Sequence, residues 1–311
     1  MTRVVCIGEC MVELRAVGED TFARSFAGDA YNTAVYLKRS LPAAQVQLLT
    51  ATGDDALSKA MRRTWSAQGI EDELAFSVKG GSPGLYLIET DASGERNFQY
   101  WRQESAARRW LALLEERGES ILQGADIIYL SGISLAILTP EERAGAVAML
   151  RRLRRHVGRI AFDPNVRLRL WQSPQVAAQT IRAAFSACDI ALPSAEDLAW
   201  LLGVEEPMRQ LDLLAEMGVS EVALTLGANG CAIADEGRHT RLPGLSVERV
   251  VDTSGAGDSF NGAYLAGRLQ GYSPDQAAES ALKVASRVVT HAGAIVPASV
   301  SHPVKSVQMR E

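Results

Sequence analysis

The sequence predicts an α/β protein, with a mostly parallel sheet carrying helices and a smaller β-sheet standing off the main body. Three observations predict it. From Ala125 onward, short apolar runs alternate with segments of helical spacing, which is the rhythm of βαβ units. Polar and glycine-rich clusters recur directly after those runs, where parallel sheets present their carboxyl ends to ligands. Between residues 83 and 102 the rhythm breaks into two partly alternating segments around a turn, the pattern of a β-hairpin.

Each element has its own warrant. Residues 3–8 are apolar and β-branched and read as a buried strand. Residues 11–16 alternate as a short exposed strand. Residues 26–32 lead into a helix over 33–37. Gly28 there allows a close approach to the backbone, and Asp29 and Asn32 carry groups that suit vicinal hydroxyls. A plain helix N-cap is the alternative duty of Asp29. Residues 46–50 form a strand, and 57–67 a helix stopped by Gly69. The hairpin strands are 83–90 and 96–102, around a turn at 91–95, and carry Tyr86, Tyr100, Trp101 and Arg102. Strands then follow over 126–130, 159–162, 190–192, 221–226 and 230–234, and the apolar run 245–251 continues the sheet edge. Helices lie over 140–155 and 174–188, after Ser194, and over 277–291. Thr139-Pro140-Glu141-Glu142 is a helix-start signature.

Composition narrows the function. The 311 residues are 47% hydrophobic and 22% charged, a globular balance. A net charge of −5 gives no footprint for nucleic acid. The cluster Arg151, Arg152, Arg154 and Arg155 reads as a solvated helix end. No run reaches membrane-spanning length, and the opening residues read as a strand rather than an export signal. The cysteines, at 6, 10, 188 and 231, lack Cys-x-x-Cys spacing, and the histidines, at 156, 239, 291 and 302, lack metal spacing. A cytoplasmic protein without a disulfide scaffold or zinc site is expected.

The chemistry concentrates in Asp252-Thr253-Ser254-Gly255-Ala256-Gly257-Asp258. Glycines ahead of a helix allow the N–H groups of Gly255, Ala256 and Gly257 to converge on an anion, favoured there by the helix dipole. A carboxylate at the end of such a loop repels phosphate. It fits if Asp258 takes a proton from a hydroxyl that attacks a phosphoryl group. The bland alternative is a turn with Asp258 in the first turn of a helix. No Gly-x-x-x-x-Gly-Lys-Ser/Thr occurs, and no Gly-x-Gly-x-x-Gly follows the first strand.

With Gly28-Asp29-x-x-Asn32 near the N-terminus, the heptad resembles that of the ribokinase-like (PfkB) carbohydrate kinases, over nearly the whole chain. Gly84-Leu85-Tyr86, Tyr100-Trp101-Arg102 and Asp163-Pro164-Asn165-x-Arg167 make it most similar to the 2-keto-3-deoxygluconate kinases of that family. The resemblance implies a three-layer α/β/α sandwich over residues 1–311, with a lid formed by about residues 10–16 and 82–102. It implies phosphorylation of the sugar acid's 6-hydroxyl by ATP with Mg²⁺, with Asp258 as base and Gly255, Ala256 and Gly257 as anion hole. Gly28, Asp29, Asn32, Tyr86, Tyr100, Arg102 and Arg167 would hold the sugar acid. Asn165, Ser194, Thr225, Gly227, Gly230, Gly255 and Gly257 would hold ATP, and Glu196 would order water around the metal.

An arginine fork suits a carboxylate, which a neutral sugar lacks. Arg102 could instead be a solvent-exposed strand residue, and Arg167 could cap a helix or face a phosphate. Three departures from the family pattern stand out: Gly28-Asp29 for Gly-Gly, Pro193-x-x-Glu196 for Asn-x-x-Glu, and Thr225 for a frequent Lys. As in some relatives, the resemblance offers residues near Asp252 and Gly293 for a monovalent cation. Other acceptors, such as fructose, remain open, as does a non-catalytic sensor. Apolar side chains on the hairpin (Tyr86, Phe98, Trp101) lead us to expect a homodimer or higher assembly through the lid.

Overall fold

The computed structural model describes residues 1–18, 20–90 and 96–301. From the N-terminus, β1 (Arg3–Ile7) enters the middle of a large sheet. The chain then leaves for a second sheet through β2 (Met11–Gly18) and β3 (Thr21–Ala27). It returns through α1 (Asp29–Ser40), β4 (Gln45–Thr52), α2 (Ala56–Ala67) and β5 (Ala75–Ser77). The hairpin β6 (Leu85–Thr90) and β7 (Arg96–Trp101) completes the second sheet. Next come α3 (Trp110–Arg117), β8 (Ile127–Ser131), α4 (Gly132–Ala136), α5 (Pro140–Leu153), β9 (Arg159–Asp163) and α6 (Pro174–Phe185). They are followed by β10 (Ile190–Ala191), α7 (Ala195–Leu202), α8 (Pro207–Glu216), β11 (Glu221–Thr225), β12 (Cys231–Asp235) and β13 (Arg238–Leu242). Helices α9 (Ala256–Leu269) and α10 (Pro274–Val288) lie near the C-terminal end of the described chain.

The main sheet runs β13-β12-β11-β10-β9-β8-β1-β4-β5, parallel except that β12 opposes both neighbours. Strands buried on both faces read as continuous apolar runs, and β8 is buried at every residue. Helices α3 and α5–α8 pack on one face, and α1, α2, α9 and α10 on the other. These are the three layers expected. Strand β1 pairs with β4 on one side and β8 on the other, so strand order reverses there and a crevice opens at its carboxyl end.

The second sheet runs β3-β2-β6-β7, which corrects two expectations. The strand expected over 11–16 extends to Gly18, with Met11, Val12 and Glu13 buried, and its partner β3 was not foreseen. The small and polar Ala23-Arg24-Ser25 in β3, set between Phe22 and Phe26, hides its alternation. The turn expected at 91–95 lies outside the described residues, although the strands flanking it pair antiparallel in register.

Residues 245–251 are not a strand. They run irregularly, with Leu245, Val250 and Val251 exposed, and the sheet ends instead on β13. Its Arg-His-Thr-Arg-Leu is the charged sequence that suits an edge. The helix start at Thr139 holds as a reciprocal cap. Thr139 N donates to Glu142 Oε2 (2.8 Å), and Glu142 N donates to Thr139 Oγ1 (3.3 Å). Arg152 in the last turn of that helix and Arg154 at its end pair with Glu119 and Asp189 at the surface. The four cysteines are buried free thiols, and no helix among the described residues is long and apolar enough to cross a membrane.

Candidate active site

A cleft of about 550 Å³ lies where the second sheet faces the carboxyl ends of the main sheet. Its floor is the heptad. Asp252 is buried and anchors the loop. Its Oδ1 accepts from Ser254 N (2.8 Å), and its Oδ2 accepts from Gly293 N (2.6 Å). The expected neighbourhood of Asp252 and Gly293 is therefore real, with those carboxylate oxygens taken by backbone amides. Gly255 has φ 72°, and a Cβ there would stand 2.4 Å from Ala294 O, so the position demands glycine.

The expected anion hole changes in detail. The N–H of Ala256 is spent on Thr253 O (3.2 Å), and the first bond inside α9 runs from Ser259 N to Gly255 O (2.8 Å). Gly257 and Asp258 therefore carry the first-turn amides that have no acceptor within the helix. Gly257 is an ordinary helical residue with open space on its cleft side, so its special backbone freedom is not needed.

Asp258 lines the cleft one residue further on. Asn32 Nδ2 donates to its Oδ2 (2.8 Å), tying α9 to α1. Removal from water pushes the Asp258 carboxyl up to about 7, and neighbouring Asp29 adds to the rise. The Asn32 bond and the Arg167 charge pull the other way. A carboxyl poised near neutrality suits a general base.

Asp29 opens α1 without capping it. Its Oδ1 accepts from Ala30 N (2.9 Å), and its Oδ2 accepts from Asn165 Nδ2 (2.9 Å). Asn165 adopts φ 32°, and its N–H donates to Asp163 Oδ1 (2.9 Å). Asp163 Oδ2 accepts from Asn261 Nδ2 (2.8 Å). Burial raises the Asp163 carboxyl well above its ordinary range, with Asp197, Asp258 and Asp29 contributing. Three aspartates and three asparagines thus lock the loop after β9 and both helix starts around the cleft. Asp163 and Asn261 were missed as site residues. Asn261 lies one helical turn beyond Asp258, which was the available signal. Gly28 lines the cleft, and it also admits the chain itself, since a Cβ there would lie 2.2 Å from Glu9 O.

The second sheet supplies the other wall. The Tyr86 ring lines the cleft, but its hydroxyl donates to the buried Glu13, which also accepts from Ser25 Oγ (2.7 Å). The Tyr86 hydroxyl proton is therefore engaged, which leaves its ring and the acceptor side of its oxygen for a ligand. Tyr100 stacks on Tyr86 with ring centroids 5.5 Å apart. Arg169, absent from the sequence expectation, lays its guanidinium 4.1 Å from the Tyr100 centroid and lines the cleft. Arg167 lines it too and is exposed. Arg102 is not a solvent-exposed strand residue. It is buried, and its Nη2 is paired with the buried Glu9.

On the opposite side, Ser194 and Thr225 line the cleft. Ser194 Oγ caps α7 by accepting from Asp197 N (3.1 Å). Thr225 directs its N–H (2.9 Å) and Oγ1 (3.3 Å) to Pro193 O. Gly227 and Gly230 fall outside the cleft, in the turn beside a separate hollow lined by Ala228, Asn229, Arg241, Pro243 and Gly244. Glu196 lines the cleft and is exposed. Among the described residues, no three His, Cys, Asp or Glu side chains gather to hold a metal ion by themselves.

A buried carboxyl raised toward neutrality, a helix start with open amides and a second sheet meet at one cleft, and the pfkB family carbohydrate kinase model matches residues 1–300. The chain belongs to that family. It is 41% identical over 303 residues to a 2-dehydro-3-deoxygluconokinase of Dickeya dadantii, covering 94% of this chain and 96% of the relative. It is 36% identical over 309 residues to the 2-dehydro-3-deoxygluconokinase of Haemophilus influenzae, covering 97% and 98%. A solved PfkB protein from a Polaromonas species superposes with a TM-score of 0.85 at 23% identity, covering 96% of this chain and 99% of that one, which shows the shared fold.

Proposed function

We propose that this kinase transfers the γ-phosphoryl group of ATP to the 6-hydroxyl of 2-keto-3-deoxy-D-gluconate (2-dehydro-3-deoxygluconate), giving the 6-phosphate and ADP. The observation that carries the reading is the placement of Asp258, with its carboxyl raised to about 7, in one cleft with three arginines. The base and the cations imply a hydroxyl acceptor on an anionic molecule. The full-length relatives above, named for this activity, support that acceptor.

Asp258 takes the proton of the 6-hydroxyl as its oxygen bonds to the γ-phosphorus and the bond to the β-phosphate oxygen breaks. The first-turn amides of α9 neutralise charge on the transferring group. Magnesium ATP supplies the phosphoryl group, and the residues present fit it. The cleft is open beside Gly257, and hard Mg²⁺ would be held largely by phosphates and water, with Glu196 as an outer partner. Arg167 and Arg102 face the substrate carboxylate, and the lid excludes water.

Asp258→Asn should reduce turnover by about 10²-fold or more while leaving ATP binding in place. Substantial residual turnover would remove Asp258 from the role of base. Arg167→Ala should raise KM for the sugar acid far more than for fructose or another neutral ketose, and equal losses would end the carboxylate reading.

The lid also carries an apolar outer face. Alternation along the strands puts Tyr86, Phe98 and Tyr100 on the cleft side, and Phe22 and Trp101 on the other, where both are exposed. That face is the basis for a homodimer through the lid, working in the cytoplasm. Sedimentation as a monomer at working concentration would end the dimer.

A further inference from the structure

We propose that Glu9 is the positioning residue for Arg102 and, through it, sets the preference for an acidic acceptor; this rests on the reading that Arg102 meets the substrate carboxylate. Glu9 follows β1 at the switch point of the main sheet, and Arg102 follows the last strand of the lid. The two are 1% and 8% exposed, and Arg102 Nη2 is paired with Glu9 Oε2. Glu9 Oε1 and Arg102 Nε are also enclosed, and neither has a hydrogen-bond partner.

That unmatched second prong separates this pair from a structural one. Glu221 meets both Nε and Nη2 of Arg268 at 2.9 Å, closing the fork. Glu9 holds Arg102 by one prong from behind, while Arg102 lines the cleft. A guanidinium needs a counter-charge to stay in so buried a place. Without one it would swing to solvent and take its donors away from the acceptor. Glu9 therefore keeps the guanidinium inside and aims it, and a ligand carboxylate meets an oriented fork rather than a mobile charge. Gly84 of the lid packs over the pair. A Cβ there would stand 2.8 Å from Glu9 Oε1 and 3.1 Å from the Arg102 Cβ.

The test compares Glu9→Gln, Arg102→Ala, their combination and Gly84→Ala in the full chain. It measures kcat, KM for 2-keto-3-deoxygluconate, KM for ATP and the thermal midpoint. Losing one charge-assisted bond corresponds to about a 10- to 100-fold change. Glu9→Gln should raise the sugar-acid KM by about that factor, with kcat and the ATP KM little changed. The double variant should be no worse than Arg102→Ala alone, because both act through one guanidinium. Gly84→Ala, which displaces the Glu9 carboxylate without removing it, should reproduce the KM effect, and it serves if Glu9→Gln fails to fold. An unchanged sugar-acid KM in folded Glu9→Gln, or losses that add in the double variant, overturns the inference. If Arg102→Ala itself leaves the sugar-acid KM unchanged, the carboxylate role of Arg102 falls instead.

Discussion

Replacing Asn32 with alanine tests the electrostatics of the base directly. Asn32 Nδ2 donates to Asp258 Oδ2 at 2.8 Å and is one of two influences that lower the Asp258 carboxyl, against burial and Asp29. A hydrogen bond to a charged group contributes about 1.5–3 kcal/mol. One unit of pKa corresponds to about 1.4 kcal/mol. Losing the bond should therefore raise the carboxyl by about 1–2 units, from about 7 to about 8–9. Asp258 must be ionised to accept a proton, so activity rises with pH through this pKa. The assay is the pH profile of kcat/KM, whose rising limb reports the free enzyme. The wild-type limb should lie near 7, and the Asn32→Ala limb about 1–2 units higher. Loss of an Asn32 contact to the sugar would raise KM at every pH and leave the limb in place. A limb that stays near 7, or moves to lower pH, would refute the assignment of Asp258 as the titrating base held down by Asn32.

The same shift predicts a stability effect of the opposite sense. The folded carboxyl lies above the unfolded value of 3.8, so its contribution is fully present below about pH 4 and is lost as pH rises toward 7. Asp258→Asn should flatten that part of the curve of unfolding free energy against pH. Gly255→Ala places a Cβ against Ala294 O in a left-handed backbone and should cost about 1–3 kcal/mol in denaturant titrations, with turnover falling as the helix start shifts. Glu221→Gln uncharges a buried carboxylate that holds Arg268, Arg159 (2.7 Å) and Tyr264 (2.7 Å) far from the cleft. It should lower stability by about 3 kcal/mol, the lower end for a buried pair because Arg159 is half-exposed, and leave the sugar-acid KM unchanged.

Sequence alone determined the α/β class, most of the central strands and helices, and the heptad with the carboxylate that closes it. These rest on local signals: hydrophobic period, glycine before a helix, and Thr-Pro-Glu-Glu caps. The same signals failed where local chemistry is ambiguous. Strand β3 mixes Arg24 with Phe22 and Phe26 on one face and is small or polar on the other, edge strand β13 is charged, and residues 245–251 are apolar but irregular. Only the tertiary structure decided what each polar group is free to do. Asp252 and Asn165 are spent on anchoring, Tyr86 gives its hydroxyl to Glu13, and Ala256 gives its amide to Thr253. Asp163, Arg169 and Asn261 enter the site, and Glu9 reaches Arg102 behind it, because strands and helices far apart in sequence end at one point. A residue's type sets which bonds it can make, but which of them it has left over depends on long-range neighbours that no local pattern encodes.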